Sequence, residues 1–293
     1  MLSIEDPIPL AIPCFLAAIF IEILWTRRNH KHEYHVNDTL TCLTTSIFSS
    51  LAGLYGAGFI GYCYWYLYNH YHPTEMHEFR LSLQIFCWLS LFLLQDFTYY
   101  WFHRISHRVN FLWAAHLAHH SSEEYNFAVA LRQSTFQQFF AWPFYLPLAL
   151  AGFPPEWLAT VISFNLIYQF WFHTREINRL PTWIEAIFNT PSHHRVHHGT
   201  NPQYLDKNYG GIFIIWDKLF GTFEAEGEEV RYGITVPLKS FNPVWVNVHY
   251  FFYLWRMSWA APGLRQAILI WVMPPDWKVD WVEGCTEIRT EGS

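Results

Sequence analysis

From Pro7 to Trp25 nearly every position is apolar, with Glu22 the one acid, and Arg27, Arg28 and Lys31 follow directly. That run predicts a first membrane span over roughly 8–26, since about 20 apolar residues carry a helix across a hydrocarbon core. The basic cluster comes after the apolar run and the acidic Glu5 and Asp6 before it, the order of an uncleaved anchor, not of a signal peptide. Leu40 to Tyr68 has no formal charge across 29 residues and predicts a second span over 40–68. Leu81 to Trp101 carries only Asp96 and predicts a third over 81–102. Two further runs, 135–151 and 156–173, are separated by Gly152, Phe153, Pro154 and Pro155 and predict a helical hairpin, whole or partly re-entrant. Helices satisfy their own backbone groups in lipid, so the expected fold is all-α: an integral membrane helical bundle of about four to five spans. No linker or repeat divides the chain, and a single domain over 1–293 is expected, with a catalytic cap from 103–134 and 174–247 and a tail at 272–293.

The basic cluster after the first span assigns that loop to the cytoplasmic side. Counting spans then puts the segments after Trp101 and after Phe172 on the same face, and the dense histidine words lie there. His70, His72 and His77 fall on the opposite side, and His30, His32, His35 and His249 lie outside those words. The expected location is an endoplasmic reticulum or bacterial inner membrane with the active site on its cytoplasmic side.

Composition agrees with a membrane chain: 14% of residues are charged and 20% aromatic, against roughly 25% charged in soluble domains. A net charge of −6 without a basic run excludes a nucleic-acid partner. Cys14, Cys42, Cys63, Cys87 and Cys285 form no pair motif and read as small apolar fillers.

Ten of the seventeen histidines fall between positions 103 and 198. HRISH gives His103 and His107, HLAHH gives His116, His119 and His120, a lone His173 follows, and SHHRVHH gives His193, His194, His197 and His198. Residues three and four apart share a helix face, so each word aims several imidazoles together. The set exceeds what one ion can take and suggests two metals within a helical bundle. Imidazole suits zinc, copper, iron and nickel; an apolar substrate with unactivated C–H bonds requires O2 chemistry and favours two iron ions. Asp96 precedes His103 by seven residues on one face and is expected either to orient it through the other ring nitrogen or to be a simple interfacial cap, while Asp217, an acid in an apolar run, is expected to support a ligand or to hold structure by hydrogen bonds. The residues Trp101, Phe102, Trp113, Phe127, Phe136, Trp142, Phe170, Trp171 and Phe172 are candidate walls of a lipid channel or else bundle core. A non-enzymatic metal carrier would need polar residues through its spans, and the second and third have almost none.

The histidine spacing resembles the fatty acid hydroxylase/sterol desaturase superfamily, whose signature is HxxxH or HxxxxH, HxxHH and a third HxxHH. The surrounding words YYWFHRISH, HHSSEEYN, ALRQS, YQFWFHT, NTPSHHRVHHG, DKNYGG and IIWDKLFGTFEAE resemble the branch that cleaves ether lipids. That resemblance implies a membrane diiron monooxygenase that uses O2 and tetrahydrobiopterin to hydroxylate the carbon next to an ether oxygen, giving a hemiacetal that breaks down to an aldehyde. It implies a metal set of His103, His107, His116, His119, His120, His194, His197 and His198, with His173 and His193 nearby. By position, Glu123, Glu124, Asn126, Arg132 and Gln133 could line a cytoplasmic entrance for the pterin or a polar headgroup, and Asn208 and Tyr209 could bond ligand imidazoles. The chain has Arg108 where that branch carries an acid. The partners implied are the lipid, the membrane, O2 and, in place of a pterin, a reductase or ferredoxin. The alternative is a diiron hydroxylase or desaturase of a sterol, carotenoid or fatty acyl lipid.

Overall fold

The computed structural model describes residues 7–31, 33–71 and 76–277. Glu5, Asp6, His32, His72, Cys285 and the tail from 278 onward lie outside the described residues. The element order is α1 (Ile8–Arg28), α2 (Val36–Tyr71), a short 3-10 turn at Met76–Glu78, α3 (Leu81–Arg108), α4 (Asn110–His120), α5 (Phe127–Ala130), α6 (Gln137–Leu150), α7 (Pro155–Trp171), α8 (Thr182–Ile187), α9 (Pro191–His197), α10 (Ile215–Phe220), α11 (Pro243–Trp259) and α12 (Leu264–Val272). Among the described residues the only β pairing is an isolated bridge between Phe188 and Phe213, as the all-α expectation requires.

Three helices, α1, α2 and α3, are long and apolar enough to cross a membrane. Their outer faces are bare: Leu10 is 80% exposed and Tyr55 89%, which water would not tolerate over so large a surface. The third helix outruns its expected end at 102, because nothing in FHRISHR breaks a helix, and His103 and His107 ride on its last two turns. The predicted hairpin corresponds to α6 and α7, which turn at Gly152 with φ +88°. Both pack on α2 and α3 in one core that includes Leu91, Tyr145, Leu148 and a Trp88–Trp157 stack at 4.5 Å. A second core joins α4 to α11 and α12 through Leu117, Tyr250, Leu254, Met257 and Ile270.

Two buried acids tie the long helices to the histidine end. Glu22 of α1 accepts from the Tyr34 hydroxyl, the Thr174 hydroxyl and the Phe127 amide, the last at 2.8 Å. Asp38, in the first turn of α2, pairs with Arg132 at 3.0 Å and accepts from Ser122 at 2.6 Å. Arg132 also donates to the Ala118 carbonyl at 2.9 Å and to Ser121, so one guanidinium joins α2, α4 and the segment after α5. His70 lies at the far end of α2 from Asp38.

Breaking a buried pair strands a charge, so Arg132→Ala should destabilise the protein by about 3–5 kcal/mol. Thermal unfolding in detergent checks this, and Asp38→Ala should match it because the same pair is lost.

Candidate metal centre

The third HxxHH word forms a helix because of its ends. Pro191 sits at the first helical position of α9, where its missing N–H costs nothing, and Gly199 follows the last histidine. His194, His197 and His198 therefore share a face that meets α3 and α4. The result is two buried groups, His103, His107, His116, His120 and His197 in one, and His119, His173, His194 and His198 in the other. Within each group one nitrogen from every ring lies within 4.8 Å of the rest. The rings of His120 and His198 stack at 4.3 Å and join the two.

The outer nitrogens show which way each ring is held. Nδ1 of His103 donates to the Tyr209 carbonyl at 2.8 Å, His119 to Arg132 at 3.1 Å, His173 to Gln169 at 2.8 Å and His197 to Lys207 at 2.9 Å. Nδ1 of His116 meets the Gln137 side-chain oxygen at 2.7 Å. A carbonyl can only accept, so these rings carry their proton on Nδ1 and turn a lone pair inward on Nε2. The inner nitrogens stand close: His103 to His116 at 3.1 Å with no proton between them, His116 to His120 at 3.1 Å, His173 to His194 at 3.0 Å and His194 to His198 at 3.1 Å. Donors at roughly 2.1 Å from a metal lie about 3.0–3.4 Å apart at octahedral to tetrahedral angles. Nε2 of His107 and of His197 are buried without a partner, the state of donors that lack only an acceptor for their lone pairs. Burial pushes His116 down to about 3 and holds His119, His120, His194, His197 and His198 well below the usual histidine range. These rings are neutral at pH 7, the form that binds metal. The donor set fits two ions of the imidazole-binding class.

His193 is brought into neither group. Its Nε2 lies 3.3 Å from Glu185, while the Asn208 side chain donates to its backbone carbonyl at 3.0 Å. Asn208 thus bonds backbone, not an imidazole as expected; of that pair Tyr209 makes the imidazole contact, and through its carbonyl.

The expected link from Asp96 to His103 is corrected by the structure, since the Tyr209 carbonyl already occupies the outer nitrogen of His103. Asp96 instead accepts from the Ile212 amide at 2.7 Å, Phe213 at 3.1 Å, the Trp216 indole at 2.8 Å and Asn165 at 2.9 Å. It pins the loop that carries Tyr209 to α3 and α7. Gly211 makes this approach possible, for a Cβ there would stand 2.7 Å from the Asp96 carboxylate. Asp217 does the same from below, accepting from the Tyr209 and Gly210 amides at 2.8 Å each and from Thr222 at 2.7 Å. Burial pushes it up to about 6 against those bonds. Both acids hold the 209–213 loop by its amides, with side-chain donors completing their shells, and do not reach the histidine rings.

Asn126 and Arg132 are likewise not at an entrance. Both are buried, Asn126 capping α5 and bonding the Glu33 carbonyl, Arg132 paired with Asp38. Gln133 bonds the Ala130 carbonyl, while Glu123 is exposed and Glu124 half-buried.

A cavity of about 510 Å3 opens beside the first group, with His107, His120, His197 and His198 on one wall. The remaining walls are Trp113 and Leu117 of α4, residues from Gly199 to Asp206, the segment 233–238, α11 from Trp245 to Arg256, and Pro275 with Asp276. Of the aromatics expected to wall a channel, only Trp113 does so. Phe172 lies tilted against His194 at 4.1 Å, Phe127 stacks on Phe170 at 5.1 Å, and Trp101 meets Phe220 edge-on at 5.0 Å, so these pack within the protein and not on the cavity. His249, which sequence spacing leaves outside the site, lines the cavity from α11. Nothing local to residues 233–256 signals this, because only tertiary packing folds them back over α4.

The Fatty acid hydroxylase family model matches residues 88–222, a segment holding every histidine of both groups. The chain is 43% identical over 278 residues to alkylglycerol monooxygenase of Homo sapiens, covering 94% of this chain and 61% of that protein. It is 34% identical over 277 residues to alkylglycerol monooxygenase of Caenorhabditis elegans, covering 90% of this chain and 53% of that protein. Ornithine lipid hydroxylase OlsE of Rhizobium tropici is 28% identical over 167 residues, 53% of this chain and 45% of that protein. The chain therefore spans about three fifths or less of the length of these relatives. No solved structure matches it. The likeness read from the histidine words is borne out: residues 88–222, which carry them, match the fatty acid hydroxylase family model.

Proposed function

We propose that the protein is a membrane-bound diiron monooxygenase that hydroxylates the carbon next to the ether oxygen of an alkylglycerol-type lipid, giving a hemiacetal that breaks down to a fatty aldehyde and a glycerol derivative. The observation that carries this reading is an all-imidazole group of five, backed by a second of four, beside a largely apolar cavity of about 510 Å3. Two irons there would supply the activation of O2, with tetrahydrobiopterin, or a reductase or ferredoxin, as the source of electrons. His103, His107, His116, His120 and His197 would hold one ion, and His119, His173, His194 and His198 the other.

The chain's own part is positioning and exclusion of water. Carbonyl partners keep five rings from turning, so the donors do not reorganise when a metal arrives. Trp113, Leu117, Ile234, Val236, Phe252 and Tyr253 would hold the alkyl chain, which sets the carbon to be oxidised beside His107, His120 and His197. Glu123 stands against Gly233 at the cavity segment and, with Glu124, is the acidic edge we assign to the polar cofactor. A cytoplasmic site is supported by Lys31, which pairs with Glu176 three residues past His173, so the basic end of α1 lies at the histidine end. The membrane is that of the endoplasmic reticulum or a bacterial inner membrane.

The protein purified without oxygen should hold two irons per chain by elemental analysis, and His103→Ala and His194→Ala should each lose one. Lipid incubated with the protein and O2 should release a fatty aldehyde by mass spectrometry. A hydroxylated or desaturated sterol, carotenoid or acyl product without aldehyde would favour the other reading instead. His119→Ala and His197→Ala should abolish turnover while leaving the protein in the membrane; retained oxygenase activity in either overturns the assignment. Filling the cavity with Val236→Trp should lower kcat/KM on the order of tenfold, ~1.4 kcal/mol of lost transition-state binding, with iron content unchanged.

A further inference from the structure

The loop 206–209 faces three of the five histidines of the first group, and not in the same way each time. Lys207 and Tyr209 offer backbone carbonyls to His197 and His103. Asp206 offers a side chain: its Oδ1 lies 3.7 Å from His107 Nδ1, and its Oδ2 accepts from Arg108. Among the described residues it is the one carboxylate paired with a histidine of either group. The opposite nitrogen of His107, Nε2, is buried and without a partner, so the ring stands between a carboxylate and the converging donors. Asp206 holds this place with left-handed backbone, φ +59°, which is costly for most side chains and least so for Asn and Asp. The Arg108–Asp206 pair is partly exposed. Such a pair adds little stability, so its consequence is orientation.

We propose that Asp206 is a positioning residue for His107. Arg108 fixes one carboxylate oxygen and leaves the other to accept the Nδ1 proton of His107, making this ring the most electron-rich donor of its group. The inference rests on reading the first group as a metal site. A separation of 3.7 Å is a few tenths of an ångström outside a hydrogen bond, which a small turn of the ring closes when Nε2 takes a metal. A carboxylate behind a ligating imidazole raises its basicity more than a backbone carbonyl does, and removing such a partner typically costs 10–100-fold in metal affinity, by about one to two powers of ten.

The test is titration of the detergent-purified full chain with cobalt(II), following stoichiometry and the visible ligand-field bands. Asp206→Gly keeps the left-handed backbone and deletes the carboxylate; Asp206→Asn keeps an oxygen acceptor and deletes the charge. Expected is a loss of about 10–100-fold in affinity at one of two sites for Asp206→Gly, with a shifted band. Asp206→Asn should show a smaller loss, Arg108→Gln a smaller one still, and the other site should titrate as in the unchanged protein. Unaltered binding of both ions by Asp206→Gly overturns the inference, and so does equal weakening at both sites, which marks a general structural role. An unchanged chain that binds no cobalt overturns the diiron reading itself, a result distinct from either.

Discussion

Everything at the histidine end depends on burying nine neutral imidazoles with their lone pairs converging. Each ring has one proton and two nitrogens, and the fold decides which nitrogen carries it by placing a carbonyl behind the ring. The Tyr209, Arg132, Gln169 and Lys207 carbonyls and the Gln137 amide oxygen perform that service for five of them. The inner nitrogens of His103 and His116, 3.1 Å apart with no proton between them, repel, and a cation is what reconciles them. An apolar membrane protein can accommodate this set because neutral imidazole costs far less to bury than a ring of carboxylates.

The acids that the chain buries hold segments together and do not touch the histidines of either group. Asp96 and Asp217 grip successive amides of the loop 209–213 from opposite sides, and that loop presents a carbonyl to His103. Glu22 and Asp38 fasten the long helices to the cap. A carboxylate that accepts several N–H groups is well satisfied and rigid, and rigidity of a supporting loop is what a ligand ring needs from its surroundings. The cap is thus held from the membrane side by acids and read from the metal side as carbonyls.

The three long apolar helices, the histidine faces and the family likeness were legible because each depends on local spacing. Apolar runs of sufficient length make helices, and histidines three and four apart share a face wherever that helix ends up. The partners of those histidines were harder. Asp96 lies two turns from His103 on the same helical face, and that proximity suggested a contact that the Tyr209 carbonyl occupies instead. Arg132 and Asn126 follow the second histidine word closely, yet both turn inward to acids and carbonyls of other segments. Asp206 stood beside DKNYGG's lysine with nothing in its neighbours to mark it.

By itself the sequence determined the helical class, the three long apolar helices and the inventory of rings, because hydrophobic length and helical period act within a few turns. Only the tertiary structure decided that nine rings divide five and four, that His193 turns away to Glu185, and that segment 233–256 closes a cavity over the first group. Those outcomes require α3, α4, α9 and α11 to meet at one point. The physical reason is that ring orientation is set by hydrogen bonds between residues up to about a hundred positions apart, as from His103 to Tyr209, and no local pattern encodes a partner at that distance.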